Sequence, residues 1–457
     1  MSENRYSTNK IEIKVAKLYL FFLPFRMIMP FEWLQQVIGP LANYFDLLFH
    51  LFGLALWFRN EGGFYFNPIN RPLYKQLKYS IIYLNISSVV MACVMYAIYG
   101  NYYGHSPFWG IVPMILFYFH YLFMFLYNIR VFTLLDYKTM VNTIAKTCTA
   151  LLILGYLQVG AMLGPLAGVY DVFAQVFGGL VTSENLFKLS LTGTEGAAAG
   201  SLLGVFVWPF LLARILHGDK RSTYELILWL IPLYFTHSST AMLLFVLDFC
   251  LFLYLMNKHS LNRGAFVRKI LSFASVAGIA ILLISMSNLI TDDVAEELNY
   301  LLFEKASDSD NGSTAARSVP FIIGMGCFKE MPILGVGNGL QGYFFDKYFP
   351  IEFLNYPSMD FFYDKRHDGI GNGGTFFSGY FSGYGIIGII VLIGIIINIR
   401  KTYLNRKNNL GVFREMFIIG AICIIPNGFQ GDFYSLYYIW FVLSIPFMFF
   451  SQDEISN

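Results

Sequence analysis

Residues 376–399 read FFSGYFSGYGIIGIIVLIGIIINI, and this stretch decides the class of fold. It holds 24 consecutive residues without a charged side chain. An α-helix needs about 20 mostly apolar residues to cross the hydrocarbon core of a bilayer. The stretch therefore predicts a membrane-spanning helix that begins among glycine, serine and tyrosine and continues into isoleucine.

Similar apolar runs recur along the whole chain. Of its 457 residues 56% are hydrophobic and 13% charged, against roughly 25% charged residues in ordinary soluble domains. Spans are predicted at about 14–30, 38–58, 79–98, 108–129, 147–166, 196–216, 224–236, 241–257, 270–290, 376–399, 415–430 and 434–450. The expected fold is an all-α, polytopic integral membrane helical bundle of about 12 transmembrane helices, with residues 1–457 forming a single membrane domain.

Basic residues mark one side of this predicted topology. Clusters of lysine and arginine fall in four predicted loops, at 59–78, 217–224, 258–269 and 400–414. The positive-inside rule places these loops, and with them both termini, in the cytoplasm. The assignment requires residues 224–257 to form a short helical hairpin, whose tip THSST at 236–240 turns near the outer face.

The same topology places residues 292–375 outside the membrane as one large extracytoplasmic loop. The loop is acidic, with thirteen carboxylates against six lysine and arginine side chains. A long polar segment between spanning helices is more often a lid or a binding loop than a simple connector. Chemistry is therefore expected on the outer face.

Cysteine spacing and net charge exclude several classes of protein. Four of the five cysteines fall within apolar runs, and the sequence contains no CxxC pattern, so neither a disulfide framework nor a metal site is expected. The formal net charge of +2 is too small to indicate nucleic-acid binding. Partners are expected in the lipid bilayer or beside it.

The most informative polar stretch, SDNGSTAARSVPFIIGMGCFKEMPILGVGNGLQGYFF, begins at Ser309. It contains Arg317 and then a run of glycines that includes Gly335, Gly337 and Gly339. Such a run lets backbone amides approach an anion closely, although a glycine turn that caps an interfacial helix would have the same sequence. Nucleotide binding by GVGNGLQG is disfavoured, because no βαβ unit can be built around it.

Several motifs in a fixed order resemble one known family. Arg317 is followed by a helix, by P-x-x-G-x-G-x-G from Pro332, by a long loop with His367, and by YGIIG from Tyr384. This order resembles the O-antigen and capsule polymerase and ligase family (Wzy-type), over about residues 180–450. All of these elements are on the predicted outer side or lead into the helix at 376–399.

Two further motifs are similar to the same family with one departure each. FTHSSTA at 235–241 is similar to a T-x-S-R-T-A tip between two helices, but Ser239 replaces the arginine. GTEGAAAG at 193–200 is similar to a G-T/F-x-E-P-x-x-x-G element, but Gly196 replaces the proline. Both departures weaken the transfer of family roles to these two elements.

The resemblance implies an enzyme, a polymerase of lipid-linked oligosaccharide repeat units. It would transfer the growing glycan from polyprenyl diphosphate to a sugar hydroxyl of the next unit, and so build an O-antigen, capsule or exopolysaccharide. The implied location is the outer face of a bacterial cytoplasmic (inner) membrane, with no metal and no other cofactor. The implied partners are the polyprenyl-diphosphate-linked oligosaccharide and the bilayer, with a chain-length regulator and a flippase as potential protein partners.

Three residues are the candidates for catalysis. A planar guanidinium can bind two oxygens of a diphosphate, which suits Arg317 to stabilise the leaving group; the alternative is an arginine that snorkels to the headgroups. Glu195 lies where an outer loop enters a helix, and desolvation there would favour a general base. It could equally complement the helix dipole. His367 is the second candidate base, or else an ordinary loop histidine.

A further set of residues is predicted to bind substrate: Lys188, His237, Ser238, Gly335, Gly337, Gly339 and Asn372. Lys188 could contact a phosphate, although a lysine that meets lipid headgroups is the simpler explanation. His237 and Ser238 occupy the hairpin tip, whereas Asn372 begins the run NGGT before the helix at 376–399.

Two alternatives remain open. A ligase that moves finished polymer onto a different acceptor would have the same motifs. A transporter or flippase of lipid-linked sugars would instead contain inverted repeats and broken helices. Asp46 and His50, four residues apart in the second span, and Asp248 in the eighth favour that class, because intramembrane carboxylates often mark ion paths. Packing between helices is the more common role.

Overall fold

The computed structural model describes residues 2–25, 45–61, 71–162, 189, 191, 196–259, 312–351, 375–430 and 437–456. Every regular element within these ranges is a helix. The all-α prediction is therefore confirmed for this part of the chain. The α-helices are α1 (Ser2–Phe22), α2 (Phe45–Glu61), α3 (Arg71–Tyr99), α4 (Pro107–Leu134), α5 (Tyr137–Met162), α6 (Gly196–Leu202), α7 (Trp208–Leu216), α8 (Lys220–Leu228), α9 (Leu230–Phe235), α10 (Ser239–His259), α11 (Gly312–Glu330), α12 (Phe345–Tyr348), α13 (Phe376–Arg406), α14 (Phe413–Gln430), α15 (Tyr437–Ser444) and α16 (Gln452–Ser456).

Six helical segments of the described residues are long and apolar enough to cross a membrane. They are Tyr74–Tyr99, Pro107–Leu134, Tyr137–Met162, Ala197–Leu216, Ser239–Lys258 and Phe376–Asn409. The chain is therefore a membrane protein built as a helical bundle. The count of twelve spans stays a prediction, and the predicted span 270–290 lies outside the described residues.

Small residues let several of these helices approach closely. The segment Ala197–Leu216 consists of α6 and α7, joined by one π-helical turn at Leu203–Val207. On this segment Gly200 packs against Ala241 of α10, and Gly204 packs against Leu244 one turn further on. Glycine at such contacts brings helix backbones together in a membrane, where association depends on van der Waals packing.

The predicted hairpin at 224–257 contains three helical pieces instead of two. Helix α8 ends at Leu228, and Trp229 separates it from α9. The chain then turns at residues 236–238 and enters α10. The first helix of the expected two-helix hairpin is therefore interrupted. The orientation of the hairpin in the membrane, which follows from the positive-inside rule, stays a prediction.

One arginine ties three helices together at one end of the bundle. Arg130 of α4 pairs with Glu12 of α1 at 2.7 Å and with Glu61 of α2 at 2.5 Å. Glu12 is buried and also accepts a hydrogen bond from Asn60 Nδ2 at 2.8 Å. The buried carboxylate thus accepts hydrogen bonds from a charged donor and from a neutral donor. This cluster therefore fixes the mutual positions of the three helices.

Asp219 caps helix α8 in the loop that follows the span Ala197–Leu216. Its side chain accepts hydrogen bonds from the backbone N–H of Arg221 at 3.2 Å and from Ser222 Oγ at 2.6 Å, and it pairs with Arg214 at 2.7 Å. Partial burial alone would raise the pKa of Asp219, but these hydrogen bonds and Arg214 together lower it. The charged form is therefore the one that stabilises the fold.

We expect Asp219→Ala to lower the free energy of unfolding by about 1 kcal/mol, the usual value of an N-cap. Because the folded pKa of Asp219 is depressed, its contribution is present above the pKa of the unfolded chain and is lost as the pH falls through the folded pKa. Thermal unfolding in detergent at neutral and acidic pH checks both points. Asp219→Asn keeps a cap without charge, and it should remove the acid sensitivity while costing less stability.

Candidate functional site

Helix α13, which contains the apolar stretch 376–399, is broken at Gly385. The backbone of Gly385 has φ 60° and ψ −153°, outside the helical region. A Cβ at this position would collide with the carbonyl oxygens of Pro332 and Ile333. Irregular backbone at membrane depth is tolerated where protein covers it and its polar groups find partners. The segment 332–337 supplies that cover.

Four backbone hydrogen bonds join the segment 332–337 to the break. Beyond it, the N–H groups of Ile386 and Ile387 donate to the carbonyls of Pro332 and Ile333, at 2.8 and 3.2 Å. Before it, the carbonyls of Ser382 and Gly383 accept from the N–H groups of Val336 and Gly337, at 2.8 and 3.0 Å. In an unbroken helix, these backbone amides and carbonyls would form hydrogen bonds within the helix. Here they are paired with residues about fifty positions earlier in the chain.

The three glycines of the predicted anion site have left-handed backbones. Their φ angles are 73° at Gly335, 92° at Gly337 and 90° at Gly339. Each amide donates within the protein: Gly335 to Met331 O at 2.8 Å, Gly337 to Gly383 O at 3.0 Å and Gly339 to Gln341 Oε1 at 2.9 Å. The run therefore serves close packing against α13. Anion binding by these amides stays a prediction, and it would require these bonds to open.

Two buried amide side chains complete the contact. Gln341 Nε2 donates to Gly379 O at 3.0 Å and to Ser382 Oγ at 3.2 Å. Asn338, fully buried, donates from Nδ2 to the hydroxyl of Tyr118 on α4 at 3.2 Å. A buried network with its polar groups satisfied favours a single arrangement of the elements it joins. The network therefore fixes the register between the glycine run and α13.

Three tyrosines of the described residues lie beside the break. Ser88 Oγ of α3 donates to the Tyr384 hydroxyl at 3.3 Å, and the Tyr384 ring lies 5.9 Å from the Tyr118 ring. Tyr380 lies on the preceding turn of α13 and donates from its hydroxyl to Gly388 O at 3.1 Å. This bond bridges the break within a single helix, so the two halves of α13 are held together across Gly385.

The helix that carries Arg317 packs directly on the start of α13. Ser378 Oγ donates to Pro320 O of α11 at 2.7 Å, and Gly324 of the same helix leaves room for the Ser378 side chain. The backbone of Arg317 lies in α11, three residues before Pro320. Its side chain is outside the described set. The structure thus brings together the helix of Arg317, the glycine run and the YGIIG segment.

Other predicted residues lie elsewhere or outside the described part of the chain. Glu195, Lys188, His367 and Asn372 lie outside the described residues. His237 has φ 44° at the turn after α9, with its ring 5.5 Å from that of Tyr234. Ser238 Oγ accepts from the N–H of Ala241 at 3.4 Å and so caps α10.

An ion-paired cluster at the protein surface lies next to the glycine run. Glu330, the last residue of α11, accepts hydrogen bonds from Lys347 and from the Tyr348 hydroxyl. The bonds from Lys347 and Tyr348 lower the pKa of Glu330. The pair is exposed to solvent, so it contributes little to stability. It joins the end of α11 to α12 and closes the loop that contains the glycines.

Among the described residues, the polar contacts inside the bundle include a pair of histidines and an aspartate–cysteine pair. His50 of α2 lies against His120 of α4, with ring centroids 5.3 Å apart, among the rings of Tyr127 and Tyr437. Asp248 of α10 is fully buried and accepts from Cys423 Sγ at 2.8 Å. The side chain of Asp46 is outside the described set. Both pairs join helices, as expected of polar contacts in a membrane bundle.

Comparison of the chain with models of known protein families, with curated protein sequences and with solved structures finds no match.

Proposed function

We propose that the chain is a membrane glycosyltransferase-type polymerase that joins lipid-linked oligosaccharide repeat units into a bacterial surface polysaccharide. The observation that carries the proposal is that α11 and the segment 332–337 both contact the first part of α13, up to and around its break. Arg317 and the glycine run are neighbours in sequence, and the helix and the segment that carry them both contact α13, which holds the YGIIG motif much later in the chain. A family resemblance with no such contact would have far less weight.

The proposed reaction is an inverting glycosyl transfer. A sugar hydroxyl of the acceptor unit attacks the anomeric carbon of the donor glycan, and the bond from that carbon to the diphosphate oxygen breaks. The hydroxyl proton passes to a base, Glu195 or His367, while the electron pair leaves with the polyprenyl diphosphate. Arg317 stabilises the charge that develops on this leaving group. The proposal requires neither a nucleotide nor a metal ion.

The proposed location is the bacterial cytoplasmic (inner) membrane, with both termini in the cytoplasm and the site on the outer face. The basic charge of four predicted loops and the acidic charge of the segment 292–375 support this orientation. The donor and the acceptor then both hang from polyprenyl chains in the outer leaflet. A chain-length regulator and a flippase are the proposed protein partners.

The test of this function is synthesis of polymer by the purified protein. Reconstituted into liposomes with lipid-linked repeat units, it should convert single units into a ladder of longer glycans with release of polyprenyl diphosphate. Failure to lengthen the units, with the protein folded in the liposomes, would remove the proposal. Transfer of finished polymer onto a different lipid acceptor would identify a ligase instead.

The candidate bases give a further prediction. In the same assay, Glu195→Gln and His367→Ala are each tested for a rate loss of about 10²- to 10⁴-fold, the range for removal of a general base. We expect this loss in one of the two variants, because a single hydroxyl proton is transferred. Protein level in the membrane should not change. Glu304→Gln, in the same predicted loop as His367, is the matched control. Full activity in both variants would exclude both residues as the base.

A transporter or flippase of lipid-linked sugars is the second candidate. The break at Gly385 favours it, because discontinuous helices form the substrate sites of many transporters. The buried pairs His50–His120 and Asp248–Cys423 are also of the kind found along ion paths. Movement of a fluorescent lipid-linked sugar across liposomes, without any change in glycan length, would support this class against the polymerase.

A further inference from the structure

An apolar cavity of about 340 Å³ lies between α3, α4, α13, α14 and α15. This volume is within the range of about 300–1,000 Å³ that small-molecule sites occupy. Its walls are aliphatic and aromatic side chains such as Leu84, Phe125, Ile396 and Trp440. Because α3, α4 and α13 are among the helices able to span the membrane and the lining is apolar, the cavity suits a hydrocarbon chain.

One end of the cavity carries a positive charge. Arg400 is among the residues that line it, and it is the first residue of the basic stretch 400–414. The aromatic pair Phe376 and Phe377 lines the cavity at the start of the same helix. The cavity thus follows α13 from its aromatic beginning to its basic end. An occupant that matches both ends has a long apolar chain and an anionic head at Arg400.

The cavity shares two tyrosines with the contacts around the helix break. Tyr118 and Tyr380 line it, and both also take part in the contacts around Gly385. An occupant would therefore pack on the same side chains that hold the two halves of α13 together. No residue of the segment 332–337 lines the cavity, so the two are separate sites.

We propose that this cavity binds one anionic phospholipid from the leaflet at the basic end of the bundle, with its phosphate at Arg400 and an acyl chain along α13. A guanidinium binds phosphate oxygens through paired, charge-assisted hydrogen bonds. A phosphate without an acyl chain would not pack against the apolar walls of the cavity. An acyl chain without a phosphate would not pair with the charge of Arg400. The site does not depend on which reaction the protein performs.

Native mass spectrometry of the full chain in detergent tests the proposal, with phosphatidylglycerol and phosphatidylcholine as probes. The wild-type protein should retain one phosphatidylglycerol in preference to phosphatidylcholine. Arg400→Gln should weaken phosphatidylglycerol binding about tenfold, on the scale of one hydrogen bond to a charged group. Lys401→Gln, next along the helix and outside the cavity lining, is the matched control and should bind as wild type.

A substitution that fills the cavity with a larger side chain should abolish binding of both lipids. Ala421 lines the cavity and Ile422 does not, so Ala421→Phe should lose the bound lipid and Ile422→Phe should keep it. Ile396→Trp is the second filling variant if Ala421→Phe does not fold. The thermal midpoint should rise with phosphatidylglycerol only in proteins that bind it.

Four outcomes would overturn the proposal. The first is equal retention of the two lipids by the wild-type protein. The second is the same loss of binding in Lys401→Gln as in Arg400→Gln. The third is an equal rise of the thermal midpoint with inorganic phosphate alone, which would show that the acyl chain does not contribute. Stronger retention of a polyprenyl phosphate than of phosphatidylglycerol would also exclude a phospholipid as the natural occupant.

Discussion

Arg317→Ala should lower the amount of polymer made per molecule of enzyme by about a hundredfold or more. This is the scale on which removal of one preorganised charge-stabilising donor slows a reaction. The expected cause is the loss of a bidentate contact to the departing diphosphate, where negative charge accumulates as the glycosidic bond breaks. The measurement is the rate of glycan lengthening by purified protein from lipid-linked repeat units, divided by the amount of folded protein.

Arg317→Lys separates this role from a structural one. Lysine keeps the positive charge but cannot present two parallel donors, so its activity should also be strongly reduced. An arginine that only reaches the lipid headgroups would be replaced well by lysine, and alanine would then lower protein abundance more than turnover. Near wild-type turnover in both variants would end the assignment of Arg317 to the diphosphate. A chelator added to the same assay tests the expected independence from metal ions.

Gly335→Ala should destabilise the protein by about 2–5 kcal/mol. Its left-handed backbone, with φ 73°, costs roughly 1–2 kcal/mol for a residue with a Cβ. The added methyl group would also meet the backbone of Gly383 and Tyr384, which cannot retreat without breaking the hydrogen bonds at the helix break. Overpacking of this kind typically costs a further 1–3 kcal/mol. Thermal unfolding in detergent measures the combined loss.

Gly218→Ala is the matched control for that experiment. Gly218 also has a left-handed backbone, with φ 88°, but nothing lies within 4 Å of the position where its Cβ would be built. It should therefore lose only the conformational part of the stability, on the order of 1 kcal/mol. Equal losses in the two variants would show that the contact between the glycine run and α13 contributes nothing beyond backbone conformation.

The sequence predicts the helices of this bundle well where composition alone decides. Residues 376–399 lack charge over a length sufficient to span a bilayer, and they lie in α13, one of the candidate spans. The break at Gly385 is not predictable in the same way. Hydrophobicity averaged over a window of residues does not reveal a break at one residue. The neighbouring sequence also does not distinguish Gly385 from Gly383 or Gly388. Only the fit of Pro332 and Ile333 selects it.

The candidate site is predictable in part. A glycine run indicates unusual backbone conformations, and Gly335, Gly337 and Gly339 all have positive φ. The acceptor of the Gly337 amide is not predictable, since Gly383 is far away in sequence. Sequence reasoning also misses Asn338 and Gln341, because polar residues between glycines resemble an exposed loop. The one available signal is their position among apolar residues, in GVGNGLQGYFF.

The pairing between the segment 332–337 and the break in α13 has a consequence for the order in which the protein is made. Ribosomes synthesise the glycine run before α13, so its donors and acceptors already exist when Gly385 leaves the translocon. Without them, the interrupted half-helix would enter lipid with unpaired amides and carbonyls, each costing several kcal/mol. Insertion of α13 is therefore an assembly step between two parts of one nascent chain. A hydrophobic segment that inserts alone needs no such partner.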